Sequence, residues 1–400
     1  MKKIVILGAT GSIGTNTLDV IRSHPGEFRV VGLAAARPGE KLAALAREFP
    51  DADIAVANDL ENIFQTKMAT ASRRGKIYSG RDSALNLVRD SVADVCVAGI
   101  SGTAGLQPTF AAAHKGMRIL LANKEVLVSA GRLFNEAVRL GGAAVLPLDS
   151  EHAALWQCLE GKDRKAIDKV WITASGGPFR TWTKEQMASA TPADAVNHPK
   201  WSMGAKISVD SATLANKALE VIEACMLFDF SVDAVGILVH PQSAVHGIVE
   251  FADGTQIAHM GICDMRQPAS YMLFYPERRA NTLPRLDLVK LGRLDFSAPD
   301  LERFPLLAIG LEACRLGGGY PALFNAANET AVNLFLREKI SFADLPDAVA
   351  FAMRSNAQDD PNSLDDVAAI HLEAARKVRE FVSHSSSRSV SSRPERTGMV

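Results

Sequence analysis

The stretch MKKIVILGATGSIG, residues 1–14, combines a short apolar run with three closely spaced glycines. The apolar run indicates a buried β-strand, and the residues that follow the glycines indicate a helix. Gly8, Gly11 and Gly14 occupy the turn between them, where backbone N–H groups can approach a pyrophosphate at the positive end of the helix. The stretch therefore predicts a nucleotide site, although the same glycines would also form a tight turn without a ligand.

Four more apolar runs in the first 150 residues indicate further strands of the same sheet. They are FRVVGLAAA (28–36), DVCVAG (94–99), RILLAN (118–123) and AAVLPL (143–148). These runs are mostly continuous rather than alternating, which is typical of strands covered on both faces in a parallel sheet. We therefore predict an α/β nucleotide-binding domain over 1–150, with ligands beyond the carboxyl ends of its strands.

The rest of the chain changes character. VWITASGGPF (170–179), AVGILVHPQSAVHGIVEFADG (234–254) and TQIAHMGI (255–262) predict an antiparallel sheet flanked by helices. The expected organisation after the first domain is an α+β domain over 151–285, a linker over 286–300, a helical bundle over 301–384 and a disordered Ser/Arg-rich tail over 385–400. The fold class is thus a multidomain combination of α/β and α+β parts.

Composition limits the partners and the compartment. The chain has 44 Lys+Arg against 45 Asp+Glu, so its formal net charge of -1 gives no overall attraction to nucleic acid or to an anionic membrane. No run reaches the ~18 apolar residues of a membrane span. The five cysteines are scattered and form no CxxC motif, which favours a reducing compartment. We expect a cytoplasmic protein without nucleic-acid or membrane partners.

Arg37 follows the second predicted strand, at the place where an acidic residue would bind an unphosphorylated ribose. An arginine there suits a 2′-phosphate through charge-assisted hydrogen bonds, which favours NADP over NAD. The alternative is a solvated loop charge.

Two neighbouring strands end in polar clusters, NKE at 123–125 and DSE at 149–151. Both should open onto one crevice near the nucleotide. If strand geometry persisted, Asp149 and Glu151 would point to one face and suit a hard divalent cation such as Mg²⁺ or Mn²⁺. The alternative is a helix start, with Asp149 or Ser150 as the N-cap.

Residues 208–224, SVDSATLANKALEVIEA, have helical periodicity after a Ser/Asp start. On one helix, Asn216, Lys217 and Glu220 would share a face and Ser211 would lie near the N-terminus. Such a helix could hold an anion and offer Glu220 as a third oxygen ligand. The alternative is an ordinary surface pair of Lys217 and Glu220.

Two loops have the composition of ligand contacts. SGGPF, residues 175–179, can aim a hydroxyl and backbone N–H groups at a phosphate. NHPKWSMG, residues 197–204, combines His198, Trp201 and Gly204 in the pattern of a loop that closes over a site. Lone histidines are more often structural.

The ordered motifs resemble one enzyme family. GATGSIG, ANKE, LDSEH, SGGPF, HPKWSMGAKISVDSATLANKALE, VHPQSAVH, DMRQP and NAANE follow one another as in 1-deoxy-D-xylulose 5-phosphate reductoisomerases, from about residue 3 to 380. The resemblance implies a homodimer with an N-terminal Rossmann-like domain, a central catalytic domain and a C-terminal helical domain. It also implies NADPH, Mn²⁺ or Mg²⁺, and the rearrangement and reduction of this sugar phosphate to 2-C-methyl-D-erythritol 4-phosphate.

The resemblance assigns roles residue by residue. The implied metal ligands are Asp149, Glu151 and Glu220. The implied substrate contacts are Lys124, Ser150, Glu151, Ser175, His198, Ser211, Asn216, Lys217 and Glu220. The implied nucleotide contacts are Thr10, Gly11, Ser12, Ile13, Asn123, Glu125 and Gly204, to which the residue argument adds Arg37. Lys124, Glu151 and His198 are the candidate catalytic groups.

The chain departs from the family after its second strand, where Ala36, Arg37 and Pro38 replace a common Gly-Lys-Asn run. Two other function classes fit parts of the sequence. A different NADP-dependent dehydrogenase would explain the first domain, but Cys158 lacks the motif of a semialdehyde dehydrogenase and a homoserine-type enzyme does not need the DSE acids. A non-catalytic nucleotide-binding scaffold leaves residues 208–220 unexplained.

Overall fold

The computed structural model describes residues 1–58, 74–201 and 203–391. The chain folds into two compact units. The first unit comprises 1–175, 200–202 and 223–298, and the second comprises 176–199, 203–222 and the chain from 299 onward.

The described residues of the first unit form a seven-stranded parallel sheet. Its strands are β1 (Lys2–Leu7), β2 (Phe28–Ala35), β3 (Asp53–Val56), β4 (Ile77–Ser79), β5 (Val95–Ala98), β6 (Arg118–Leu121) and β7 (Ala144–Pro147). Residues 4–7 of β1 are fully buried, which confirms strands covered on both faces. The short strands β3 and β4 were not predicted, because three or four residues carry too little periodicity.

The strand order β4-β3-β2-β1-β5-β6-β7 reverses direction between β1 and β5. Loops after these two strands therefore diverge and leave a crevice at the carboxyl edge of the sheet. Gly8 lies there with a φ of 81°, and a Cβ on it would stand 2.5 Å from the carbonyl oxygen of Gly99. The first glycine of the quoted stretch is thus required by close backbone approach as well as by its φ.

Helices alternate with the strands of this sheet. They are α1 (Ser12–Arg22), α2 (Glu40–Glu48), α3 (Ser83–Asp90), α4 (Leu106–His114), α5 (Lys124–Gly141) and α6 (Ser150–Leu159). Helices α1, α5 and α6 each begin within a few residues of the carboxyl end of a strand, so their positive ends face the edge where β1, β6 and β7 end.

A second sheet in the first unit has strands β8 (Ile167–Ala174), β9 (Val235–Val239), β10 (Val245–Phe251) and β11 (Gln256–Met260) in the order β11-β10-β8-β9. The prediction of an antiparallel sheet was wrong for one pair, because β8 and β9 run parallel. Parallel pairing needs a long crossover. The helical chain between Ala174 and Val235 supplies it. Helices α11 (Arg266–Phe274) and α12 (Leu288–Leu291) follow the sheet.

The second unit is helical. It contains α7 (Lys184–Ala188), α8 (Pro192–Val196), α9 (Ala205–Ala212), the first turns of α10 (Ala215–Phe228), α13 (Pro305–Leu316), α14 (Tyr320–Leu336), α15 (Asp344–Ala352) and α16 (Leu364–Ser391). The prediction of helices beyond residue 301 is confirmed. The predicted tail, 385–400, is described only as far as Ser391, where α16 ends, and residues 392–400 lie outside the described part.

The single helix expected over 208–224 is two helices. Leu214 has a φ of 59° and separates α9 from α10. Thr213 stabilises the break, because its hydroxyl lies 3.1 Å from the Val209 carbonyl oxygen and accepts from the Ala215 N–H at 3.3 Å. Ser211 is therefore in the last turn of α9, on a different helix from Asn216.

Within the described residues, no helix is both long enough and apolar enough to cross a membrane.

The close approach at Gly8 makes a stability prediction. Gly8→Ala should destabilise the first unit by more than about 3 kcal/mol, since it adds both an unfavourable φ and a backbone clash. Gly26→Ala is the matched control, because Gly26 has a φ of 86° but no described heavy atom within 4 Å of the place where a Cβ would stand. That variant should cost about 1 kcal/mol. Equal urea midpoints for the two variants would contradict the clash.

Candidate active site

The glycine turn lies at the reversal point of the parallel sheet. Gly11 is the N-cap of α1 with a φ of -82° and a ψ of 177°, and no side chain among the described residues caps this helix start. Gly11 and Ser12 are exposed, whereas Thr10 and Ile13 are partly buried. The start of α1 therefore leaves backbone N–H groups without a side-chain cap, an arrangement that suits an anion.

Asn123 joins the ends of two adjacent strands. Its Nδ2 donates to the carbonyl oxygens of Ile100, at 2.6 Å, and Gly102, at 3.1 Å, so the loop after β5 is tied to the end of β6. Glu125 follows in the first turn of α5 and is 7% exposed. Arg37 is exposed just beyond the carboxyl end of β2. These predicted nucleotide residues all follow strand ends on one edge of the sheet.

Asp149 is a helix cap. Strand β7 ends at Pro147, and the Asp149 carboxylate accepts from the Glu151 N–H at 3.2 Å as the N-cap of α6. The expectation of continued strand geometry was wrong, and the alternative of a helix start is correct, because a carboxylate satisfies an N–H group that the first turn leaves open. The Asp149 side chain is nevertheless only 13% exposed and also accepts from Lys124 Nζ.

Ser150 and Glu151 begin α6. The Ser150 hydroxyl donates to Glu151 Oε2 at 2.5 Å, and both residues are partly buried. The two carboxylates of the DSE motif are thus held at one helix start, with Lys124 on Asp149 and Ser150 on Glu151. Oxygen donors in this arrangement suit a hard cation.

Sequence reasoning missed Glu223. This carboxylate is fully buried, with its Oε2 3.5 Å from His152 Nδ1, and the same nitrogen lies 3.2 Å from Asp149 Oδ1. Burial by itself would lower the pKa of His152, but the negative charges of Glu223 and Asp149 raise it to about 9. His152 is therefore cationic at neutral pH. The spacing of Glu223, three residues after Glu220, was the signal in the sequence.

Three predicted substrate residues come together on α10 in the second unit. Asn216 Nδ2 and Lys217 Nζ donate to the two oxygens of Glu220, each at 2.5 Å. Lys217 is 6% exposed and Glu220 is 1% exposed, so the alternative of an ordinary surface pair is wrong. A buried ion pair with this many direct contacts is costly to build and points to a functional arrangement.

The SGGPF turn packs on the end of α9. Gly177 has a φ of 67°, and a Cβ on it would stand 2.4 Å from the Ser211 carbonyl oxygen. Within the second unit, the glycine turn and Ser211 are therefore immediate neighbours. Ser175, partly buried, precedes this turn at the end of β8.

His198 and Gly204, the predicted loop residues on either side of Trp201, both belong to the second unit. Burial, with a smaller effect of the Lys217 charge, lowers the pKa of His198 to about 4, so its ring is neutral at neutral pH. Gly204 is the N-cap of α9, and its carbonyl oxygen accepts from the N–H and the hydroxyl of Ser208, each at 3.1 Å. Trp201 lies in the first unit, 6.4 Å from the His246 ring centre.

Family models cover most of the chain. The model described as 1-deoxy-D-xylulose 5-phosphate reductoisomerase matches residues 4–131, and two models of reductoisomerase C-terminal domains match 145–228 and 260–378. A reductoisomerase of Rhodospirillum centenum is 45% identical over 382 residues, which cover 96% of this chain and 94% of the relative. One of Cupriavidus metallidurans is 46% identical over 380 residues, covering 94% and 97%. The chain belongs to the 1-deoxy-D-xylulose 5-phosphate reductoisomerase family.

Solved reductoisomerases have the same fold. The Zymomonas mobilis enzyme in complex with NADPH has a TM-score of 0.87 at 42% identity, with 95% of this chain and 98% of that chain covered. A reductoisomerase in complex with NADPH, fosmidomycin and magnesium has a TM-score of 0.91 at 40% identity, with 96% and 98% covered. Membership confirms the predicted fold class, the oxidoreductase class and the reductoisomerase reaction, and it does not favour the other dehydrogenases considered above.

The neutral state of His198 is testable by NMR. The ring should titrate with a midpoint near 4 rather than 6.5, and Lys217→Met should raise the midpoint by removing a nearby positive charge. Because the folded state binds fewer protons than the unfolded state between these values, this group should reduce stability as the pH falls through that window. Lys184→Met, an exposed change in the same unit, should leave the midpoint where it was. A wild-type midpoint near 6.5 would refute the assignment.

Proposed function

We propose that this protein uses NADPH and a divalent cation, Mg²⁺ or Mn²⁺, to rearrange and reduce 1-deoxy-D-xylulose 5-phosphate. The observation that carries the proposal is that the glycine turn after β1 and the acid pair after β7 follow strands whose carboxyl ends share one edge of a parallel sheet. A nucleotide at the turn would therefore have its reactive end within the same crevice as the acids.

We assign the nucleotide to the residues that surround the switch point. The uncapped start of α1, with Thr10, Gly11, Ser12 and Ile13, suits a pyrophosphate. Support at the β6 end comes from Asn123, whose Oδ1 is buried and accepts no hydrogen bond from the described residues. Arg37 is assigned to the 2′-phosphate and Gly204 to the nicotinamide side. NADPH supplies the hydride of the reduction.

The donor set fits a divalent cation. We propose that Asp149, Glu151 and Glu220 hold it, since all three offer hard carboxylate oxygens. Support for Glu220 comes from the helix that carries it: Glu223, one turn further along α10, is in the first unit and lies 3.5 Å from the imidazole that contacts Asp149. When bound, such a cation polarises the substrate's oxygens as a Lewis acid.

The substrate's phosphate is assigned to Ser175, Ser211, Asn216 and Lys217. Hydroxyl, amide and ammonium groups are all donors to phosphate oxygens, and the contact between Gly177 and Ser211 brings two of these segments together. Holding the phosphate orients the reacting carbons at the other end of the molecule. The neutral ring of His198 can donate to or accept from the substrate without adding charge.

Lys124, Ser150 and Glu151 are assigned to the reacting end. Lys124 can stabilise the negative charge that develops on a substrate oxygen, and Glu151 can accept a proton from a substrate hydroxyl. The Ser150 hydroxyl, which donates to Glu151, orients that carboxylate.

We also propose a homodimer in the cytoplasm. Exposed apolar side chains in the first unit support a protein interface, notably Val289, which is 93% exposed, Leu288 at 61% and Phe296 at 43%. None of the five cysteines forms a disulfide within the described residues, which fits a reducing compartment.

The reaction is tested by loss of NADPH absorbance with 1-deoxy-D-xylulose 5-phosphate. Turnover should require Mg²⁺ or Mn²⁺ and stop with a chelator. Glu220→Gln should reduce turnover at limiting metal by about 100-fold or more, since it replaces a charged ligand by a neutral amide. Glu136→Gln on the exposed side of α5 is the control and should turn over normally.

NADPH affinity of the Glu220→Gln variant separates a lost ligand from a lost fold, because the nucleotide is assigned to other elements. Full turnover of this variant at limiting metal would show that Glu220 is not a metal ligand. Absence of turnover by the wild-type protein with both metals would refute the proposed function.

Discrimination between the two nicotinamide nucleotides tests Arg37. Arg37→Gln should raise the KM for NADPH by about tenfold and leave the KM for NADH nearly unchanged, because only NADPH carries the 2′-phosphate. Arg29→Gln is the matched control, since Arg29 is exposed at the opposite end of the same strand. If both substitutions raised the KM for NADPH equally, the 2′-phosphate would have to be bound by residues other than Arg37.

A further inference from the structure

A buried carboxylate in the second unit has no role in the proposed reaction. Asp210 lies in the last turn of α9, is 0% exposed and directly precedes Ser211. Its Oδ1 accepts from Asn328 Nδ2 at 2.7 Å, and its Oδ2 lies 2.8 Å from Lys206 Nζ. Asn328 is itself 0% exposed and belongs to α14, 118 residues further along the chain.

The free energy of folding alone does not explain why this carboxylate is buried. A buried carboxylate loses its hydration and is tolerated only when it is paired and hydrogen-bonded. The Lys206 partner is one turn away on the same helix, so that pair does not connect α9 to anything else. The hydrogen bond from Asn328 connects α9 to another helix, because it fixes the last turn of α9 to the middle of α14.

Helix α9 needs such an anchor. It has eight residues, and no side chain among the described residues caps its N-terminus at Gly204. Helices of this length are marginal without tertiary contacts. Its C-terminal end is followed by the left-handed residue Leu214, which turns the chain into α10. The position of Ser211 therefore depends on what holds the turn that contains it.

A second contact shows how closely this turn is positioned. Gly177 approaches the Ser211 backbone so tightly that a methyl group would not fit. A small movement of α9 would thus shift Ser211 relative to the glycine turn of SGGPF. Both segments contribute donors to the assigned phosphate site.

We infer that Asp210 and Asn328 are positioning residues for the substrate's phosphate, and that α14 sets the affinity for phosphorylated substrate through this buried bond. The inference rests on the proposed function, in which Ser211 contacts the phosphate. Asp210 and Asn328 act through the backbone of α9.

Kinetics of Asn328→Ala test the inference. The KM for 1-deoxy-D-xylulose 5-phosphate should rise about fivefold while kcat changes less than about twofold and the KM for NADPH stays the same, because a bond to a charged group is lost only next to the phosphate site. Asn333→Ala is the matched control, since Asn333 is an exposed asparagine on the same helix. It should leave all three constants unchanged.

A charge exchange adds a rescue. Asn328→Asp alone places two carboxylates in contact and should raise the substrate KM further, by about tenfold or more. Combined with Asp210→Asn, it restores one donor and one acceptor across the same contact and should bring the KM back to within about twofold of wild type. A double variant no better than Asn328→Asp would argue against the bond as the cause.

Hydrogen exchange supplies a readout that does not depend on turnover. Inorganic phosphate should slow amide exchange over residues 208–214 in the wild type and in Asn333→Ala. In Asn328→Ala, exchange there should be faster and the response to phosphate weaker. If the wild type does not turn over the substrate, the proposed function fails while these exchange data still decide the positioning role. The inference would be overturned if Asn328→Ala changed neither the amide exchange nor the KM for substrate. It would also be overturned if this substitution lowered kcat and raised both KM values by the same factor.

Discussion

The structure depends on hydrogen-bond donors and cationic groups that compensate the negative charge of buried carboxylates. The three carboxylates proposed as metal ligands each have a donor supplied by the chain itself: Lys124 on Asp149, Ser150 on Glu151, and Asn216 with Lys217 on Glu220. Glu223 is balanced by the cationic ring of His152. Since buried ion pairs seldom add stability over well-packed apolar residues, their concentration at the start of α6 and within α10 is explained by chemistry rather than by folding.

Parallel topology makes the concentration of charge at the start of α6 possible. In a parallel sheet every strand delivers its carboxyl end to one edge, and the following helix presents its positive end there. Asp149 shows how one residue can serve several purposes, because its side chain caps α6, accepts from Lys124 and lies 3.2 Å from His152 Nδ1. The second unit uses a different device, in which a left-handed residue at Leu214 sets the ends of α9 and α10 next to each other.

Sequence reasoning succeeded where the signal was local. The apolar strands of the first sheet, the glycine turn and the helical character beyond residue 301 follow from hydrophobic periodicity and from the steric freedom of glycine. It failed where a side-chain hydrogen bond to the backbone changed the secondary structure that the apolar pattern predicted. Asp149 lies at a helix start instead of on a strand, and the helix expected over 208–224 is interrupted at Leu214, where the Thr213 hydroxyl accepts from the Ala215 N–H. In both cases a polar side chain satisfied a backbone group, an effect that apolar periodicity does not register.

The amino-acid sequence alone determined the family and the fold class, because the order and spacing of short motifs are specific to that family, and it supplied the candidate residues for a nucleotide, a metal and a phosphate. Only the tertiary structure decided which polar groups are buried together. Glu223 meets His152, and Asn328 meets Asp210 across 118 residues, through packing of segments that share no local pattern. A pairing between side chains that are far apart in the sequence leaves no periodic pattern along the chain. It can be identified only in the folded structure, where both partners are buried.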